Sequence, residues 1–288
     1  MSIRVVMVPL VGAEGEGGAV AAACTLARRF DGQVLGLFVR GAAGDVVPVI
    51  GEGMSAEIIE RLTRASEAEM DRRRDEARRR FAAACAGAGV TVDRAGDPGG
   101  GTTATFEEVA GRRDEVLAAR ARLADLVVVG GACAASGAEE RSAVEAILLG
   151  SGRPLLVVPQ AWSGSIAHAV AIAWNGRTEA ARALALAMPL VEAAGAVHVL
   201  TAATRRTPVE AGAQLAAYLG RHGIRSERHE VRLEGRAVGA ALLRVAAGAG
   251  ADLLVMGGYG RSRLSELVLG GVTRHLLDHA DLPVLMAH

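Results

Sequence analysis

The stretch GADLLVMGG, Gly250–Gly258, has a near copy earlier in the chain, LADLVVVGG at Leu123–Gly131. A second matching pair follows, RPLLVVP at Arg153–Pro159 and LPVLMAH at Leu282–His288. Similar segments in the same order at this long period mean two units of one fold rather than a solenoid.

Outward from these motifs, short β-branched or aliphatic runs stand at Val5–Pro9, Val34–Val39, Leu126–Val129 and Leu155–Pro159. The series restarts with Ala169–Ala173, Ala196–Leu200, Glu230–Leu233, Leu253–Met256 and Pro283–Met286. Longer Ala-, Arg- and Glu-rich segments of helical period separate the runs. Apolar strands alternating with helices indicate a parallel sheet covered on both faces. The class is α/β, and the expected architecture is two tandem open parallel five-stranded sheets with flanking helices. The first unit is expected over 1–160 and the second over 166–288. The joint near Gln160 to Ala167 is short and small-residued, so the halves should lie close together.

Composition narrows the function. The chain has 288 residues, enough for one large domain or two ordinary ones, and aromatics are only 3%, so the interior is packed from small aliphatic side chains. The 32 basic and 32 acidic residues cancel, which argues against a nucleic-acid footprint or an anionic membrane partner. Every basic residue other than His is Arg, so a Walker-type phosphate loop and a lysine Schiff base are excluded, while phosphate binding by backbone amides is not. Cys24, Cys85 and Cys133 are odd in number and sit in Ala-rich contexts, which fits buried thiols better than a disulfide set. MSIRVVMVPLV is too short for a spanning helix and lacks a cleavage pattern, so the expected location is the cytoplasm. In EIIERLTRASEAEMDRRRDEARRRFAAA, acids and arginines interleave at helical neighbour distance, the pattern of a solvated, self-paired helix face rather than a polyanion site.

The stretch that carries chemistry is MGGYGRSRLSELVLGGVTRHLLDHADLPVLM, Met256–Met286. Gly257, Gly260, Gly270 and Gly271 give the spacing G-x2-G-x9-G-G. A strand that runs into a glycine turn opening a helix makes an anion site, because amides converge there and glycine admits a phosphate closely. Read plainly, the same glycines make a tight turn and cap a short helix. The order of features favours the anion site: Gly270 and Gly271 run directly into VTRHLL, a second helix start.

Here the sequence resembles the universal stress protein family, whose nucleotide-binding members carry G-x2-G-x9-G followed by Ser or Thr, in runs like MGSHG…LLGSVT. This chain reads MGGYG…VLGGVT. AVAIAWNGRTEAARAL looks like the family's first strand and turn, VHVLTA like its second strand, and the resemblance spans the second half. In the first half MSIRVVMVPL, GQVLGLFV, LADLVVVGG and GRPLLVVP fall in the family's order. The resemblance implies a Rossmann-like, adenine nucleotide α-hydrolase-like sheet and an ATP ligand, with or without Mg2+. It implies an adenine pocket near Val199 and Met256, beside Ala173 and Trp174, and a ribose contact from Asn175 with the backbone of Gly257. Phosphate contacts are implied from the amides of Gly260, Gly270, Gly271 and Val272, with Arg261, Ser262 and Thr273 as side-chain helpers. It further implies pairing through the last strands, Pro154–Pro159 with Pro283–Met286, as an intramolecular pseudo-dimer; a homodimer is left open.

Two departures weaken that site. Asn175 stands where the family commonly has Asp, and Gly271 where Ser or Thr is usual; each lost neutral hydrogen bond costs on the order of 1 kcal/mol. The first half departs further, since Cys133 replaces the second glycine and Pro9-Leu10-Val11 offers no acid. Gly150-Ser151 survives, but Arg153-Pro154 leads straight into the last strand and leaves no room for the usual final helix. A non-binding, scaffold-like first half is expected.

Other chemistry finds less support. His275 and His279 are four apart on a helix, but no Glu lies between them in the metalloprotease pattern, and no metal site is assigned. No G-x-S-x-G follows a strand, and no catalytic pair can be named. The preferred reading is an ATP-binding stress or signalling module with at most weak ATPase activity. The alternatives are a ligand-free interaction scaffold and an adenine-nucleotide hydrolase or adenylyl-transfer enzyme. Leu10–Gly18 and Trp174–Thr178 supply neither the serine-rich phosphate loop nor the histidine-rich motif that such enzymes need.

Overall fold

The structure, a computed structural model, describes residues 2–41, 56–93, 101–131, 138–160, 162, 164–202, 204, 207, 210–258 and 271–288. Strands and helices alternate. The first half holds β1 (Val5–Leu10), α1 (Glu16–Arg29), β2 (Gln33–Arg40), α2 (Ala56–Gly87), β3 (Thr91–Val92), β4 (Thr103–Ala110), α3 (Arg113–Ala121), β5 (Leu126–Gly130), α4 (Ala138–Gly150) and β6 (Leu155–Val158). The second holds β7 (Ala169–Ala173), α5 (Thr178–Glu192), β8 (Ala196–Ala202), α6 (Ala211–Arg221), β9 (Glu227–Val231), α7 (Val238–Gly248), β10 (Leu253–Gly257), α8 (Gly271–His279) and β11 (Val284–Ala287).

Among the described residues, eleven strands form one sheet, in the order β3-β4-β2-β1-β5-β6-β11-β10-β7-β8-β9. Composition explains that order. The runs LVVVG, LLVV, LLVMG and VLMA are buried almost throughout and occupy the middle, where both faces are covered. TFEEVA and ERHEV alternate with charges and lie at or next to the rims, where charge also discourages pairing with another chain. Every neighbouring pair is parallel except one: β6 and β11 run antiparallel, with Leu156 opposite Leu285. The two sheets read from the sequence are thus one continuous sheet, with a sixth strand in the first half and β9 three residues earlier than its apolar residues suggested.

Small residues set the packing. One face is covered by α1, α2, α5 and α6, where Ala19, Ala23, Ala183 and Ala187 let helices approach the strands closely; the other is covered by α3, α4, α7 and α8. On each face a single apolar cluster runs through both halves. Arg29 of α1 ties the halves further, donating to the carbonyls of Ile166 (3.2 Å), Ala167 (2.9 Å) and Ala193.

The repeated ADL motif has the same work in both copies. The Asp125 carboxylate accepts the amides of Arg4 and Val5 at 2.8 and 3.0 Å, while Asp252 accepts those of His168 and Ala169 at 3.1 and 2.9 Å. In each half one aspartate ahead of the fourth long strand pins the start of the first. On α2, Glu69–Arg73 and Asp71–Arg74 ion pairs at 2.9 and 3.2 Å make the self-paired face that the charge pattern indicates.

The last connection of the first half has no helix after its Gly-Ser pair, as the sequence indicates. A helix does precede β6, but α4 ends at Gly150 instead of beginning after it. The Ser151 amide donates back to the Ile147 carbonyl at 3.0 Å, and Ser151 Oγ accepts the amide of Arg153 at 3.0 Å. The Gly-Ser pair therefore closes a helix C-terminus, where carbonyls rather than amides are exposed, and cannot serve as a phosphate corner.

Candidate functional site at the carboxyl ends of β7 and β10

The chain leaves β7 toward β8 and β9 on one side, and β10 and β11 lie on the other. The strand order therefore reverses between β7 and β10, and open parallel sheets bind ligands in the crevice beyond that point. Ala173 pairs with Met256 there, so Trp174 and Asn175 leave β7 beside Gly257 and Gly258 leaving β10. The Trp174 amide donates to the Leu200 carbonyl at 2.8 Å, fixing the exit from the strand. Asn175 is exposed, and its Oδ1 accepts the Arg177 amide at 3.0 Å, a side-chain turn that leads into α5. The amide group of Asn175 thereby stands at the mouth of the crevice with Nδ2 as its donor end.

Gly257 has a packing reason to be glycine. A Cβ there would stand 2.6 Å from the Ala180 nitrogen and the Glu179 carbonyl carbon, so the first turn of α5 lies directly on the end of β10. Gly258 donates to the Ala287 carbonyl at 2.8 Å, and a Cβ on it would meet Leu148 of α4 at 3.0 Å. Because α8 connects two parallel neighbours, β10 and β11, it must start at the carboxyl end of the sheet. Gly271 is exposed at that start, Val272 is half-buried, and Thr273 is 3% exposed. Gly260, Arg261, Ser262 and Gly270 lie outside the described residues.

The two side chains expected near an adenine pocket face opposite sides of the sheet. Val199 pairs with Ile172 and Met256 with Ala173, successive residues of β7 that point to opposite faces. Val199 packs on the α5/α6 side and Met256 on the other, both within the core, so their side chains do not line one adenine pocket.

The equivalent crevice of the first half, between β1 and β5, is differently furnished. Glu16, 2% exposed at the start of α1, accepts the amides of Val11 and Gly12 at 2.6 and 3.2 Å. Burial pushes its carboxyl above the usual range, against the pull of the Val11, Ala13 and Gly12 amides and of Arg80. A Cβ on Gly12, at φ 80°, would reach 2.4 Å from the Arg73 carbonyl, so α2 lies over the same corner. A cleft beside it is walled by Pro9, Val11, Val129, Ala143, Val144 and Ile147 together with the charged Arg113 and Glu140. Nothing in the sequence singled out Glu16, because its role depends on the turn that brings it back beneath β1.

Fold and topology together define a doubly wound α/β protein with a crevice at the strand-order reversal. Residues 167–288 match the model of the universal stress protein family. A universal stress protein from Archaeoglobus fulgidus DSM 4304 superposes over 98% of this chain and 97% of its own, with TM-score 0.70 at 15% identity. A putative universal stress protein from Pseudomonas aeruginosa UCBPP-PA14 does so over 99% and 93%, with TM-score 0.56 at 14% identity. Full-length matches of this kind extend the fold to the first half. A universal stress protein solved in complex with cAMP matches 55% of this chain with TM-score 0.35 at 21% identity. No curated protein matches the sequence.

Proposed function

We propose that the chain is a two-domain stress or signalling module, with a domain over 166–288 that binds ATP and a domain over 1–160 that does not. The observation that carries this reading is the crevice between β7 and β10, where Asn175 and the glycine-rich exit of β10 stand at the strand-order reversal. The amides of Gly271 and Val272 open α8 at the same end of the sheet, where a helix start favours negative charge. Gly260, Gly270, Arg261, Ser262 and Thr273 complete the proposed phosphate site, and Asn175 meets the ribose. The first domain differs at the corner after β1, where the buried Glu16 carboxylate takes the amides of Val11 and Gly12, at the place of the Asn175 turn in the second. Antiparallel pairing of β6 with β11 supports an intramolecular pseudo-dimer. ATP is held with or without Mg2+, and the role is binding with at most weak turnover.

Calorimetric titration of the full chain with ATP tests this. Saturable binding that the double variant Gly260→Val, Gly270→Val abolishes is expected. Unchanged affinity in that variant removes the site. Absence of binding in the parent chain, with no nucleotide retained by mass spectrometry, leaves an interaction scaffold instead.

A further inference from the structure

Away from the crevice, three side chains of the sheet's outer strands converge. Parallel pairing sets His198 of β8 opposite Glu227 of β9, and Leu200 opposite His229. Paired residues of neighbouring strands share a face, and so do residues two apart, so all three side chains project to one side. His198 Nδ1 and His229 Nε2 are 3.1 Å apart. The Glu227 carboxylate lies 3.7 Å from the first nitrogen and 3.8 Å from the second. His198 is 9% exposed while the Glu227 side chain is 70% exposed, so the group is anchored on its inner side and open to water on its outer side.

We propose that His198, His229 and Glu227 form a binding site for a first-row divalent cation of the zinc type. Two imidazole nitrogens that share such an ion, each at about 2.0–2.1 Å, stand roughly as far apart as these two do. The exposed carboxylate needs to swing in by less than an ångström or so to complete a three-ligand set. Two imidazoles and one carboxylate suit Zn2+, Co2+, Ni2+ or Cu2+, whereas Mg2+ and Ca2+ take oxygen ligands. The ion clips the rim strand β9 to β8, at a place where charged residues leave the strand little apolar burial of its own. Since His198 and Glu227 lie toward the amino ends of their strands, this position is separate from the crevice at the carboxyl ends.

Titration of the metal-stripped full chain with Co2+, followed by visible absorption, reads the site directly. One equivalent with a ligand-field spectrum that Zn2+ abolishes is expected. His198→Gln and His229→Gln should each lose it, Glu227→Gln should weaken it, and the double variant His275→Gln, His279→Gln should leave it intact. Thermal melts with and without Zn2+ should show a stabilisation that disappears with the same variants. If His198→Gln does not fold, the more exposed His229→Gln carries the test. Absence of a one-equivalent complex in the parent chain overturns the proposal, and so does its survival in His229→Gln.

Discussion

The carboxylate of Glu16 holds the amide of Val11 at 2.6 Å, so the first half's own chain supplies the anion for the corner after β1. Removing it with Glu16→Ala leaves the half-buried amides of Val11 and Gly12 without this acceptor, a loss of about 1–3 kcal/mol at most for such groups. Urea unfolding of the parent and Glu16→Ala chains measures this. A change within experimental error would mean that solvent reaches the corner.

The same residue gives a pH signature. Burial raises its carboxyl above the ordinary 4.5, so the native state holds this proton more tightly than the unfolded chain does. Its contribution to stability is then greatest below pH 4.5 and is lost as pH rises from there through the raised native value. Glu16→Gln cannot titrate and should lack that decline; parallel melts across this acid window show it as a difference in slope.

Gly257→Ala should destabilise the chain even without a ligand. Its Cβ would fall 2.6 Å from the backbone of α5, which must move away, and forced overpacking of this kind costs about 1–3 kcal/mol. Denaturant unfolding of the ligand-free protein checks it. Full stability would show that α5 yields freely at the mouth of the crevice.

Cys24 and Cys85 meet across α1 and α2, with their sulfurs 3.8 Å apart and both buried. The hydrogen bond to Cys24 and burial push the Cys85 thiol up, away from the reactive thiolate. Iodoacetamide should modify both only after unfolding, as peptide mapping will show. Rapid labelling in native buffer would indicate that α2 lifts off.

Much of this architecture is legible in the residues. The central strands announce themselves because burial on both faces leaves no room for polar residues, as in LLVV and LLVMG. Thr103–Ala110 does not: Glu107 and Glu108 lie near the rim, where one face needs no apolar cover, so the run carries no continuous apolar signal. The start of β9 is hidden for the same reason by Glu227 and Arg228. The glycine order of the second half is visible locally, whereas the facing of Val199 away from Met256 depends on strand register. Glu16 and the His198–His229 pair are long-range geometry, created by a turn and by a parallel ladder.

The seam between β6 and β11 carries its own prediction. Residues 161–288 expressed alone would uncover the β11 edge, whose partner Leu156 has been removed. Two copies should then join edge to edge through β11, giving a dimer by light scattering that Leu285→Asp breaks. A stable monomer would show that the seam is dispensable.

That seam has one more implication. Antiparallel strands in register are related by a local dyad, the geometry by which separate identical subunits mate. Identical subunits must carry identical corners, because one gene writes both. Joined in a single polypeptide, the two sides of the dyad are free to diverge: the corner after the first strand holds a buried glutamate in one half and an asparagine turn in the other, and every molecule still receives one of each.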